Sequence, residues 1–195
     1  MGLSIHFSGR LREAEFLPAM IEEVIDVSKV YGWKYNVYNT HFPNNGFESC
    51  TSFDNIYGIS FTPTDCETVS LTFLSDGTMA SPAYISIFTD SEDETKRSYI
   101  YFISVKTQFA GIFVHLLLIR LLKYLNDKYF DCFKLDDESY YWETGDENLM
   151  RERFKLYDKL LDNVVLSTQT FPIEPNEDII AYFERLMKHI DNLKK

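Results

Sequence analysis

Lys106, Gln108 and His115 sit close together where an alternating, strand-like run gives way to a helical one. A lysine at such a junction would hold an anionic group, and the N–H groups of the helix start would add to it. His115, about one turn into the helix, has the chemistry of an acid, a base or a ligand. A structural reading stands beside this one. Thr107 or Gln108 ends the strand and caps the helix, and His115 is a core histidine satisfied by a carbonyl or carboxylate.

A second group lies at 140–147, where two tyrosines, Trp142, Glu143, Asp146 and Glu147 crowd together. Aromatic walls with carboxylates suit a cation, a sugar or an aromatic base. The spacing Thr144-x-x-Glu147 also matches a capping box, with Asp146 in the positive first turn of the following helix. Capping accounts for Thr144 and Glu147 but not for Trp142 and Glu143. The candidate polar site is therefore Lys106, Gln108, His115, Trp142 and Glu143, with Glu143 or His115 exchanging a proton. Cys66, between Asp65 and Glu67, is a poor nucleophile because neighbouring carboxylates raise a thiol pKa. His6 falls on the polar face of the first strand, where a surface or cross-strand role is expected.

Familiar catalytic and cofactor motifs are absent. There is no glycine-rich phosphate loop, no H-E-x-x-H and no G-x-S-x-G. The three cysteines, Cys50, Cys66 and Cys132, form no C-x-x-C pair. No metal site and no cofactor are expected, and a reducing, cytoplasmic setting is the simpler expectation.

The elements that must position these residues follow from periodicity. Leu3, Ile5 and Phe7 alternate as a half-buried strand that Gly9 interrupts. Leu17, Met20, Ile21, Val24, Val27 and Tyr31 form a helical stripe that Gly32 ends. Strands are expected at Trp33–Val37 positions, at Tyr57, Ile59 and Phe61, and at Val69, Leu71 and Phe73, with 40–55 as a loop. A tight Asp76-Gly77 turn leads to further strands at 84–88 and 98–105, joined by the acidic turn 90–94. Helices are predicted at 109–130, 146–166 and 176–193, with a short strand at 132–135. The first half of the 109–130 helix should be buried all round. The third should bury Ile179, Phe183, Leu186 and Ile190. The fold class expected is α+β: an antiparallel meander sheet covered by one N-terminal and about three C-terminal helices. The chain suits a single domain over 1–195, mainly sheet to 105 and mainly helical after it.

Charge separates the function classes further. The net charge is −11, and residues 35–95 contain no lysine or arginine but nine acids. That potential repels phosphate backbones and anionic membranes and attracts a basic partner. Glu48, Asp54, Glu67, Asp90, Glu92, Asp93 and Glu94 are the candidate acidic docking surface. Complementary charge of this kind speeds association and orients the partner. The longest apolar run contains His115 and Arg120 and is too short to span a bilayer. Exposed edge strands allow a homodimer.

The runs GLSIHFSG at 2–9, VKTQFAG at 105–111 and YWETGD at 141–146 resemble, across most of the chain, an uncharacterised family of bacterial proteins. The resemblance implies a bacterial intracellular protein, and no activity. Two functions are thus carried forward. One is an acidic binding module docking a basic protein or peptide. The other is an enzyme or small-ligand binder at the strand–helix junction.

Overall fold

Alternation at Leu3, Ile5 and Phe7 builds strand β1 (Ser4–Leu11), and helical spacing builds α1 (Leu17–Tyr31). Pro18 sits in the first turn of α1, and Gly32 closes it in the left-handed conformation (φ 68°). Then come β2 (Lys34–Val37), β3 (Tyr57–Thr62), β4 (Val69–Phe73), α2 (Pro82–Phe88), α3 (Glu94–Ser98) and β5 (Ile103–Lys106). The chain continues with α4 (Gly111–Tyr129), β6 (Phe130–Asp137), α5 (Tyr141–Thr144), α6 (Glu147–Thr170) and α7 (Ile179–Leu193). This computed structural model describes residues 2–175 and 177–193. The architecture is α+β with every strand ladder antiparallel.

The strands form two three-stranded sheets, with orders β5-β1-β6 and β2-β3-β4. Only the second is a sequential meander. In the first, β1 is central and its partners come from the later half of the chain. Gly9 does not end β1. It faces Cys132 and Phe133 at a bulge, because the register jumps from Ser8↔Lys134 to Arg10↔Asp131. A Cβ on Gly9 would lie 3.1 Å from the Phe133 backbone, so glycine permits the close approach. The turn 75–79 continues the pairing, with Leu11 N–H donating to Gly77 O and Met79 N–H to Gly9 O. It thereby ties the two sheets together.

The main core lies where α1 meets β3. Leu17, Met20, Ile21 and Val24 are buried, as are Ile59, Phe61, Val69 and Leu71, and Trp33 stacks on Phe61 at 5.5 Å. α4 packs along β6 and buries Leu118, Ile119, Leu122 and Leu125. Its first half is not buried all round: Phe113 is 65% exposed, and His115, Leu118 and Ile119 are the positions enclosed there.

One expected strand is helical and another is strand only at its end. Residues 84–88 belong to α2, where Pro82 starts the helix and Ser86 and Thr89 hydroxyls bond the carbonyls of Pro82 and Ile85. The proline at the first position, pre-set for a helix start, outweighs the β-branched alternation. The acidic turn contains a cap, since Asp93 accepts the N–H groups of Thr95 and Lys96 and so starts α3. Of 98–105, only Ile103–Lys106 is strand, after a 3-10 turn at Tyr99–Tyr101. Leu74, Ala80, Ile85 and Ile100 make a separate small core there, flanked by Phe53, Ile56 and Phe88.

Two compact units are distinguished, Gly2–Phe154 and Lys155–Lys195. In the second, Arg185 organises the approach to α7. It donates to Glu177 at 2.7 Å and to Pro172 O at 2.8 Å, and lies over the Phe171 ring. The Arg185 hydrogen bonds, helped by the Glu174 N–H, hold the Glu177 carboxyl down to about 2. Among the described side chains of α7, Tyr182 and Leu186 are buried, whereas Ile179 and Phe183 are exposed. The side chain of Ile190 lies outside the described residues. Among the described residues no helix is long and apolar enough to cross a membrane.

Candidate functional site

β5 hands over to α4 through Thr107 and Gln108, both buried. Their N–H groups donate to Leu3 O, and Gln108 Oε1 accepts the Leu3 N–H at 3.1 Å. The junction thus closes the start of β1. Below it lies His115, fully enclosed, with Thr107 Oγ1 2.7 Å from Nδ1 and Ser139 Oγ 2.9 Å from Nε2. The same Nε2 is 3.2 Å from Asp137 Oδ1. Asp137 is itself enclosed, and accepts the Ser139 N–H (2.8 Å), the Ser139 hydroxyl (2.9 Å) and the Trp142 N–H (3.0 Å).

A buried carboxylate is tolerated only when its lone pairs are filled, and these four donors fill them. Burial pushes the Asp137 carboxyl up, but hydrogen bonding and charge from His115, with the Ser139 donors, outweigh it and hold it below its ordinary range. The imidazole addresses the Asp137 carboxylate through Nε2, and Nδ1 is hydrogen-bonded to the Thr107 hydroxyl.

Serine, histidine and aspartate here invite comparison with a nucleophilic triad, and the geometry rejects it. In a triad, serine and aspartate occupy opposite ring nitrogens. Ser139 and Asp137 both address Nε2, and the Ser139 hydroxyl points its proton at Asp137. All three side chains are 0% exposed, so no substrate reaches them. The cluster is a lock that joins the end of β5, the first turns of α4, the end of β6 and the entry to α5.

The five sequence-predicted residues divide around this lock. His115 belongs to it, and Gln108 to the adjoining β1 closure. Trp142 joins through its backbone N–H, while its ring packs on Phe133 and carries Lys123 Nζ 5.3 Å from its centroid. Lys106 neighbours Thr107 in sequence, but its ammonium lies 5.5 Å over the exposed Phe109 ring. Glu143 is exposed and makes no ion pair among the described residues. The junction and the 140–146 segment therefore meet at Asp137, with the proposed acid–base group sealed inside and the proposed charged groups directed elsewhere.

The capping box does not form. Asp146 caps α6 by accepting the N–H groups of Asn148 and Leu149, and the Thr144 hydroxyl donates to Tyr140 O. Glu147 pairs with Arg120 and Arg151 instead. An aspartate two residues nearer the helix outcompetes the threonine because its carboxylate is the stronger acceptor. Burial pushes the Cys66 thiol up to about 11, and its Sγ–H points at Lys106 O. His6 stacks on Phe102 at 5.2 Å, with Glu138 3.9 Å away.

The acidic positions also divide. Glu67 Oε2 accepts the Lys106 N–H at 2.7 Å and so covers the free edge of β5. Asp93 caps α3 and pairs with Lys96. Glu48, Asp54, Asp90, Glu92 and Glu94 are exposed and have no ion-pair partner among the described residues. Among the described residues no group of three or more His, Cys, Asp or Glu side chains is placed to hold a metal ion.

Comparison with protein-family models, curated proteins and solved structures finds no match to this chain.

Proposed function

We propose that this chain is a cytoplasmic binding module that docks a basic protein or peptide on the lobe around Leu74, Ala80, Ile85 and Ile100. The observation that carries the reading is the set of five unpaired carboxylates borne by segments of that lobe. Phe53, next to Asp54, and Phe88, two residues before Asp90, pack against the same small core. Glu48 donates its N–H to Ser75 O on the turn beside Leu74. Uncompensated like charges on one lobe oppose its stability and are relieved by a cationic partner. Three free cysteines suit the reducing compartment. The enzyme alternative has no accessible general base at His115.

The test is capture and cross-linking in the native cell with two variants that each neutralise five carboxylates. One carries E48Q, D54N, D90N, E92Q and E94Q. The control carries E13Q, E15Q, E22Q, D127N and D136N. The expected result is a lysine- and arginine-rich partner retained by the control and lost by the first variant, with association slowing as salt rises. Equal retention by both variants, or a partner without excess basic charge, overturns the reading.

A further inference from the structure

The polar face of the β2-β3-β4 sheet carries a second feature, formed by residues other than the acidic ones. Between this sheet, β5 and the start of α2 lies a cleft of about 440 Å³. That volume falls within the usual range of small-ligand sites, roughly 300–1,000 Å³. Tyr38, Ser60, Ser70, Ser81, Tyr84 and Ser104 line it, over a floor that includes Ile103 and Pro82. Among the described residues none of these six hydroxyls makes a hydrogen bond within the protein, although Ser60 is only 7% exposed. The chain holds 19 basic and 30 acidic residues, yet none of them lines this cleft.

Register explains the convergence. Asn36 pairs with Ser60 and Ser60 with Ser70, which makes a row of uncharged polar side chains across three strands. Strands about 4.8 Å apart repeat those groups at regular intervals. Ser60 and Thr68 also line an adjoining depression of about 250 Å³, with Asn36, Thr62 and, among its other residues, Lys34. The polar track therefore runs beyond the cleft along the sheet.

We propose that this cleft binds a neutral oligosaccharide. A hydroxyl both donates and accepts, and so matches ligand hydroxyls that do the same. Absence of charge in the lining disfavours phosphates, carboxylates and ammonium groups, whose desolvation it would not offset. The tyrosine rings and Pro82 supply apolar contact for the C–H faces of sugar rings.

The protein is tested on an array of neutral linear glucans, mannans, xylans and galactans. Uronic and sulfated glycans and uncharged peptides are included. The expected result is retention of at least one neutral glycan, insensitive to salt, with amide shifts on β3, β4 and β5. Ser70→Ala should weaken it by about 2–10-fold, the worth of one hydrogen bond. Ser104→Phe, at an exposed position, should abolish it by filling the cleft, with an unchanged urea midpoint showing that the fold is intact. No neutral glycan retained, retention of acidic glycans or peptides only, or unchanged binding in both variants overturns the proposal.

Discussion

Asp137→Asn tests the buried lock directly. Oδ1 accepts from Ser139 N and His115 Nε2, and Oδ2 from Ser139 Oγ and Trp142 N. An asparagine keeps one acceptor oxygen and turns the other into a donor. Whichever way the amide faces, one backbone N–H, of Ser139 or of Trp142, meets an NH₂ and stays unpaired. An unsatisfied buried donor costs about 1–3 kcal/mol, and charge-assisted hydrogen bonds are worth roughly 1.5–3 kcal/mol each. Together these losses come to about 3–5 kcal/mol. For a chain of this size the Tm should fall by about 6–20 °C. The assay is thermal and urea unfolding by circular dichroism, with exposed Asp136→Asn as the control, expected within about 0.5 kcal/mol of wild type. pH supplies a second readout. The folded Asp137 carboxyl lies below its unfolded value near 3.9. Its ionisation therefore stabilises the fold above about pH 4, and the contribution is lost as pH falls through the lower folded value. The wild-type-minus-variant difference should shrink on acidification below about pH 4. A variant within about 1 kcal/mol of wild type, or a difference that grows in acid, would refute the account of the lock.

Cysteine reactivity should split two to one. Cys50 and Cys132 are exposed and should react rapidly with a thiol reagent at pH 8, while Cys66, pushed up to about 11, reacts slowly until the protein is denatured. Three equal rates would contradict its placement. Gly58→Ala should destabilise the β2-β3-β4 sheet, because φ is 116° and a Cβ would meet Leu71 O at 2.2 Å. Strained backbone of this kind costs about 1–3 kcal/mol before the clash is added, and a neutral urea midpoint would disprove it. His115→Leu should destabilise comparably to Asp137→Asn, and the double variant by less than the sum, because both remove one network. Additive losses would show that the two side chains act separately.

Residues 82–106 show where local sequence stopped being informative. Alternation in 84–88 and 98–105 reads as strand. The deciding signals are also local, Pro82 and Asp93, but they are single residues against a longer apolar pattern. Asp137 was hidden differently. It stands between Asp136 and Glu138, and nothing in three consecutive acids distinguishes the enclosed one. A faint signal was Asp137-x-Ser139 ahead of a helix, the pattern of a side chain folding back on its own turn. The hydroxyl cleft left a clearer trace in the uncharged alternation Gly58, Ser60, Thr62 and Thr68, Ser70, Thr72.

What this chain's sequence determined by itself is what depends on neighbours in the chain. That comprises the α+β class, α1 with its glycine stop, the β3-β4 hairpin, and the 111–129 helix, each written in a period of 2 or 3.6. Which strands pair across long separations was decided only in three dimensions. β1 sits between β5 and β6, more than ninety residues away in sequence, because a strand buried at Ile5 and Phe7 needs its backbone N–H and C=O groups paired on both edges, and those segments supply the partners. The enclosure of His115 and Asp137 follows from that pairing, since it alone brings Thr107 and Ser139 to opposite ends of one imidazole.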